Sequence, residues 1–189
     1  MRIHFLLVTL ICVSGIHAAT SFPQIPSLTT FNENKHDPGF KLSSHTEIVV
    51  DAQFAHLKAD KYSPSLLDYA HTFNNDLSEI TGQALLHVRI ESEKNARRQS
   101  NAIYLTFLSQ RQARNYKYNN SNVTDEAYEL DINHDMIVIS GSSAIGAFWG
   151  TRSVLQQVVI NQKQHDSAYI VLPAGSGVDV PGWEVRGFM

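Results

Sequence analysis

Hydrophobic and polar residues alternate most clearly in the second half of the chain. Tyr128, Leu130 and Ile132 alternate with polar residues, an Asn-His-Asp turn follows, and residues 136–139 form a continuous apolar run. This pattern predicts two antiparallel strands joined as a β-hairpin. After a turn of serine and glycine, apolar residues recur at helical spacing over 145–159, which predicts a helix. The local plan is therefore strand, strand, helix.

A second amphipathic helix is predicted for residues 64–81. Its apolar positions recur at steps of four, three, four and three residues: Leu66, Ala70, Phe73, Leu77 and Ile80. Ser63 and Pro64 offer a capping hydroxyl and a first-turn proline, and Gly82 offers a left-handed C-terminal stop. Asn74 is expected on a polar face of this helix.

Further apolar runs predict strands at 47–51, 84–90, 102–108 and 169–172. The order of elements is then β-α-β-β-β-β-α-β. Four adjacent strands between two amphipathic helices predict an α+β fold, with a mixed, largely antiparallel sheet that carries both helices on one face. Residues 19–45 have no sustained period and predict an irregular N-terminal arm, and residues 173–177 predict a turn-rich connector.

The N-terminus has the composition of a secretory signal peptide. Arg2 precedes an apolar run over residues 5–13, and small residues follow at Ala18 and Ala19, so we expect residues 1–18 to be removed. The apolar run is too short to span a membrane. Cys12, the only cysteine of the 189-residue chain, lies in this segment, so the mature chain is predicted to have no disulfide and no cysteine ligand.

The charge of the chain argues against two classes of partner. Removing the signal, with Arg2, changes the formal net charge from −3 to −4, and the sequence contains no basic run. Nucleic acid and anionic membrane surfaces are therefore poor candidates as partners. Two glycosylation triplets begin at Asn119 and Asn122 in the polar stretch 111–125, and they predict an exposed, glycosylated loop in a eukaryotic host.

The glycine- and serine-rich segment at 141–146 lacks the residues that phosphate binding or a nucleophilic serine would need. A P-loop would continue with Lys-Ser/Thr, where this chain has Ala147-Phe148, and a nucleophile elbow around Ser142 would need glycine at Ala144. We therefore expect Ser142 or Ser143 to cap the following helix, and Gly146 to allow close packing on the sheet.

No catalytic, cofactor or metal site is predicted within this chain. The seven histidines outside the signal have no pair at the spacing of ligands on one helical face, and His71 is expected to be partly buried beside the apolar stripe. Asp131 and Asp135 flank a turn, where aspartate is expected for turn geometry alone. No carboxylate pair makes a convincing acid/base site.

Several motifs taken together resemble a known family. They are Glu126-Ala127-Tyr128-x-Leu130, Gly146-Ala147-Phe148-Trp149-Gly150, Leu155-Gln156-Gln157, Asp179-x-Pro181 and Arg186-Gly187. In wording and order these motifs resemble the N-terminal part of family 20 glycoside hydrolases, the β-N-acetylhexosaminidases. The resemblance covers roughly residues 46–189.

The resemblance implies a division of the chain. Residues 46–172 would form a non-catalytic α+β domain, and residues 173–189 would form a connector and the first strand of a (β/α)8 barrel. It places Asp179, Pro181, Arg186 and Gly187 at the structural junction between the two. The catalytic Asp-Glu pair of the family would lie beyond Met189, so the resemblance implies a truncated chain that is inactive alone.

The resemblance also implies a function for the complete enzyme. Family 20 enzymes hydrolyse terminal N-acetylglucosamine or N-acetylgalactosamine by substrate-assisted, retaining catalysis, without a cofactor. A secreted or lysosomal location is expected from the signal peptide. Two alternatives are the helper domain of a family 84 or family 67 glycosidase, and a short, non-enzymatic secreted glycoprotein.

Overall fold

The structure, a computed structural model, describes residues 28–119, 122–164 and 170–182. The nine strands are β1 (Thr30–Glu33), β2 (Phe40–Leu42), β3 (Glu47–Asp51), β4 (His87–Glu91), β5 (Ala102–Phe107), β6 (Tyr128–Ile132), β7 (Met136–Gly141), β8 (Ile170–Leu172) and β9 (Gly175–Asp179). The helices are α1 (Leu66–Thr81), α2 (Glu93–Ala96), α3 (Gln110–Ala113) and α4 (Ala144–Gln164). Among these described residues no helix is long and apolar enough to cross a membrane.

Seven strands form one sheet in the order β1-β9-β6-β7-β5-β3-β4, and β2 and β8 form a separate pair. The sheet is antiparallel from β1 to β7 and parallel from β7 to β4. With the antiparallel β2–β8 pair, antiparallel pairings outnumber parallel ones by four to three. The predicted α+β fold with a mixed, largely antiparallel sheet is confirmed.

Both long helices pack on one face of this sheet, as predicted. The core on that face combines residues of α1 and α4 with alternate strand residues, such as Ile48, Val50 and Leu105. The intervening residues point to the opposite face, where Val49, Tyr104 and Val138 form a smaller cluster with Ala96 of α2. Period-two alternation thus sends one set of side chains to the helices and the other set to the second face.

The N-terminus of α1 differs from the prediction by two residues. Ser65, not Ser63, is the N-cap: its Oγ accepts a hydrogen bond from the Asp68 N–H, and the Asp68 carboxylate accepts one from the Ser65 N–H. This reciprocal capping box gives two backbone N–H donors a hydrogen-bond acceptor. A proline in the first turn provides no such acceptor. The predicted stop is confirmed, since Gly82 is left-handed with φ 68°.

Asn74 was wrongly assigned to a polar face of α1. It is buried, and its side-chain amide bonds both backbone groups of Leu86: Nδ2 donates to the Leu86 carbonyl and Oδ1 accepts from the Leu86 N–H, each at 2.9 Å. The amide replaces the strand partners that this backbone lacks just before β4. The polar side chain therefore belongs to the core.

The predicted irregular arm and connector contain strands. β1 and β2 lie within residues 28–45, and β9 lies in the segment predicted to be turn-rich. β1 pairs with β9, β9 pairs with β6, and β2 pairs with β8. β1 and β9 carry little apolar period, and β2 offers only Phe40 and Leu42, which is too short a pattern to reveal a strand. The domain boundaries themselves stay a prediction.

Candidate functional site

The second face of the sheet forms the floor of a cleft of about 1050 Å³, named here the sheet cleft. In β6, Tyr128 and Leu130 point to the helix side and are buried in the core, while Glu129 and Asp131 line the cleft. The short helices α2 and α3 and the residue following β5, Leu108, also contribute to its lining. The candidate site is therefore built by the same alternation that builds the core.

A row of polar side chains crosses the floor of the sheet cleft. Ser140 of β7 lies in register with Glu129 of β6 on one side and with Thr106 of β5 on the other. Thr106 in turn donates a hydrogen bond from its hydroxyl to Asp51 of β3 at 2.6 Å. Because neighbouring strands lie about 4.8 Å apart, these four residues form a ladder of oxygen atoms across four strands.

Asp51 anchors one end of this ladder. It is 4% exposed, and its carboxylate accepts hydrogen bonds from the Tyr104 hydroxyl at 2.7 Å, from Thr106, and from the Gln53 N–H at 3.0 Å. Burial and the neighbouring Asp51 carboxylate raise the pKa of Tyr104 far above its usual range. Tyr104 therefore stays protonated as a donor, and Asp51 is a fixed support of the floor.

The other end of the ladder is tied to the wall. The Tyr116 hydroxyl, just after α3, donates to the Glu129 carboxylate at 2.6 Å. Burial, followed by the bond to Glu129, raises the pKa of Tyr116 to about 12. The side chain of the neighbouring Asp131 is exposed and makes no hydrogen bond to another described residue. Ser142 lines the same cleft with a buried Oγ that has no hydrogen-bond partner in the described part of the chain.

This arrangement favours binding over acid/base chemistry. A glycosidic general acid needs an apolar enclosure that keeps its carboxyl protonated, whereas Asp131 is open to water and Glu129 is held by Tyr116. Asp51 already accepts three hydrogen bonds. Across residues 28–119, 122–164 and 170–182, no group of three or more His, Cys, Asp or Glu side chains could hold a metal ion.

The segment at 141–146 takes the predicted scaffold role. Ser143 caps α4: its Oγ accepts from the Ile145 N–H at 3.1 Å and donates to the Asp125 carbonyl at 2.8 Å. A Cβ on Gly146 would lie 2.4 Å from the Ala127 carbonyl oxygen, so only glycine lets α4 approach the chain before β6 this closely.

The two predicted glycosylation asparagines lie close in sequence to a single antiparallel bridge. Lys117 and Val123 form an isolated antiparallel bridge, and Asn119 and Asn122 are exposed beyond it. Thr124, which completes the second triplet, is 1% exposed in the folded chain. Residues 120–121, within the first triplet, lie outside the described residues. Glycosylation of either asparagine stays a prediction.

The predicted junction residues fall at the end of the described chain. Asp179 is the last residue of β9, pairs with Tyr128, and accepts a hydrogen bond from the Thr29 hydroxyl at 3.2 Å. Pro181 is buried. Arg186 and Gly187, like the whole predicted strand 185–189, lie outside the described residues, so the junction role of the four residues stays a prediction.

The expectation that His71 is partly buried is wrong, because it is exposed.

The residues of the sheet cleft were missed by the sequence analysis. The pattern of β5 assigned Ile103, Leu105 and Phe107 to one face, and the opposite positions hold Tyr104 and Thr106. Two hydroxyl side chains at alternate positions of a buried strand were the available signal. Their partner Asp51 lies over fifty residues away in sequence, so only the folded sheet brings them together.

The chain is an α+β unit whose mixed sheet carries two long helices on one face. The family model described as glycosyl hydrolase family 20, domain 2, matches residues 22–180. The chain therefore belongs to glycosyl hydrolase family 20. No curated protein matches its sequence.

Solved structures share this fold. The chitobiase of Flavobacterium johnsoniae has a TM-score of 0.56 at 20% identity over 86% of this chain, and the β-N-acetylhexosaminidase of Streptomyces coelicolor A3(2) has 0.51 at 16% over 84%. CpGH84D has 0.55 at 13% over 89%. The chain spans 21%, 26% and 25% of these three structures, respectively, so it corresponds to about a quarter of each.

Proposed function

We propose that the chain is the N-terminal, non-catalytic part of a secreted or lysosomal β-N-acetylhexosaminidase. The match of residues 22–180 to domain 2 of family 20 is the observation that carries this proposal. The complete enzyme would hydrolyse terminal N-acetylglucosamine or N-acetylgalactosamine residues of glycans by substrate-assisted catalysis. The same match favours family 20 over the helper domain of a family 84 or 67 enzyme, although the fold alone is also similar to CpGH84D.

The chain by itself is proposed to be inactive. Catalytic groups of a (β/α)8 barrel come from the ends of several strands, and the match covers a different domain of the family. The carboxylates of the sheet cleft do not substitute for them, because Asp51 is buried in a hydrogen-bond network and Glu129 is bound by Tyr116. The role of this domain in the complete enzyme would be to support the barrel.

Hydrolysis of an aryl N-acetylglucosaminide tests this proposal. The purified chain should release no chromophore above a buffer blank, while the Streptomyces coelicolor β-N-acetylhexosaminidase at equal concentration serves as the positive control. Release that scales with the concentration of the purified chain would contradict the proposed inactivity. Release that survives Asp131→Ala and Glu129→Gln would also exclude the cleft carboxylates as its source.

Secretion and glycosylation are proposed from the signal sequence and from the exposure of Asn119 and Asn122. Expression in eukaryotic cells should yield a chain in the medium that begins near Ala19 and loses mass on treatment with an N-glycosidase. Asn119→Gln and Asn122→Gln, tested singly and together, would assign the glycan. An intracellular product that retains residues 1–18 would contradict the proposed location.

A further inference from the structure

We propose that the sheet cleft is a binding site for a neutral oligosaccharide, whose hydroxyl groups hydrogen-bond to the oxygen-rich floor. This site does not depend on the hydrolase activity proposed above, because it is formed by the described residues of this chain alone. Its ligand class follows from the size, charge and unsatisfied polar groups of the cleft.

The dimensions of the cleft suit an oligomer. Small-molecule sites generally enclose about 300–1000 Å³, and the sheet cleft, at about 1050 Å³, lies just above that range. Its polar ladder crosses four strands, from Glu129 to Asp51, which spans about 14 Å at the usual strand spacing. A ligand that repeats polar groups along its length can use such a ladder.

The charge of the cleft excludes anionic ligands. Four carboxylates line it, those of Asp51, Glu93, Glu129 and Asp131, against one basic side chain among the described lining residues, that of Arg97. Arg97 is itself paired with Glu93 at 2.8 Å. A phosphate, sulfate or acidic sugar would meet uncompensated negative charge at this surface.

A cationic ligand also has little to bind. The carboxylate of Asp51 already accepts three hydrogen bonds within the protein. Glu93 is paired with Arg97, and Glu129 accepts a hydrogen bond from Tyr116. One carboxylate, that of Asp131, is exposed and unpaired among the described residues. A single open carboxylate is a strong acceptor for the hydroxyls of a polyol, and a weak anchor for a polycation in water.

The remaining free groups are those that hydroxyls recognise. Ser140 and Ser176 line the floor without side-chain hydrogen bonds to other described residues, and the Oγ of Ser142 is buried without a partner. A buried hydroxyl without a partner costs free energy, which a ligand or water that reaches it can recover. These hydroxyls and the carboxylate still have free hydrogen-bonding capacity, and the strands hold them at fixed positions. They therefore form a preorganised set of donors and acceptors.

An apolar patch completes the cleft. Phe54 and Phe107 lie at its edge, where their rings stack with centroids 4.7 Å apart and an angle of 16° between the planes. Both rings also pack against the core on the helix side of the sheet, because Phe107 shares the face of β5 that bears Ile103 and Leu105. Sugar rings present C–H groups on their faces and hydroxyls around their edges. An aromatic edge next to a polar floor can contact both features of such a ring.

Binding can be measured on the ¹⁵N-labelled chain by NMR titration with two neutral probes, N-acetylchitotetraose and cellotetraose. The expected result is a saturable shift of backbone signals from β6, β7 and the Ser142 turn with at least one probe. Asp131→Ala should weaken binding by about tenfold, because a hydrogen bond to a charged acceptor is lost. Glu79→Ala, at an exposed carboxylate on α1, is the matched control and should bind as the parent chain does.

A second variant and a cationic probe complete the experiment. Ser140→Ala serves as the second variant if Asp131→Ala lowers the melting temperature, and it should also weaken binding. Absence of saturable shifts with both probes up to about 10 mM, where even weak complexes form, would overturn the proposal. Shifts of the same signals with tetralysine, lost equally in Asp131→Ala and reversed by salt, would overturn it in favour of a cationic peptide site.

Discussion

The buried amide of Asn74 gives the sharpest test of how α1 is attached to the sheet. Its two hydrogen bonds to Leu86, each 2.9 Å long, satisfy the N–H and the carbonyl of one residue in the loop between α1 and β4. Asn74 is 5% exposed and Leu86 is 8% exposed, so water does not replace the amide freely. Asn74→Ala would leave two buried backbone groups without partners.

The expected cost follows from those two groups. Each buried polar group that loses its partner costs about 1–3 kcal/mol, so the loss of two partners should cost about 2–6 kcal/mol of unfolding free energy. Alanine has a higher helix propensity than asparagine, which offsets at most about 0.7 kcal/mol of this loss. The neighbouring Asn75 is exposed on the same helix, so Asn75→Ala keeps the propensity gain without the buried loss and is the matched control.

Urea denaturation followed by circular dichroism measures both variants. Asn74→Ala should unfold at clearly lower urea than the parent chain, and Asn75→Ala at the same or slightly higher urea. Hydrogen exchange at the Leu86 amide should accelerate in Asn74→Ala alone. If the two variants differ by less than about 0.5 kcal/mol, the amide does not hold the loop and the reasoning is refuted.

Two further predictions concern close packing and pH. Gly146→Ala should destabilise the chain by about 1–3 kcal/mol despite the better helix propensity of alanine, because its Cβ would lie 2.4 Å from the Ala127 carbonyl oxygen; a higher urea midpoint would contradict this. The hydrogen bond to Asp37, at 2.9 Å, and the nearby Asp135 raise the pKa of exposed His134. His134 therefore stabilises the fold fully below its unfolded pKa of about 6.5, and this contribution is lost as the pH rises through the folded pKa. The melting temperatures of the parent chain and His134→Gln should differ most near pH 5.5 and converge by about pH 8.5; a constant difference would refute the pairing.

The strongly periodic parts of the chain predicted the fold well. The stripe of α1, the β6–β7 hairpin and the helix after it were each visible because a buried face repeats its apolar residues at a fixed interval. The sheet with two helices on one face followed from their order. Gly82 and Ser143 were predictable because the ends of helices need particular backbone conformations or acceptors.

The missed features depend on partners that are distant in sequence. β1 and β9 lie at opposite ends of the described chain, and the pairing of Asn32 with Ser176 has no local signal. The burial of Asn74 was missed because its hydrogen-bond partner is the backbone of Leu86. A backbone partner leaves no signal in the residue types of the sequence. The sheet cleft was missed for the same reason, because its ladder is assembled from four separate strands.

The two faces of the sheet show why stability and binding can be separated in this domain. The face under α1 and α4 is closed by aliphatic side chains such as Ile48, Val50 and Ile139, which accounts for stability through apolar burial. The other face holds Asp51 in a buried hydrogen-bond network and leaves Ser140 and Asp131 open in the sheet cleft. Burying aliphatic side chains at these positions would cost less free energy. A polar surface of this kind costs stability unless it is hydrogen-bonded, so its open positions can be substituted with little loss of fold. Asp131→Ala should therefore change ligand binding while Asn74→Ala changes stability, and that difference distinguishes the binding face of the sheet from its structural face.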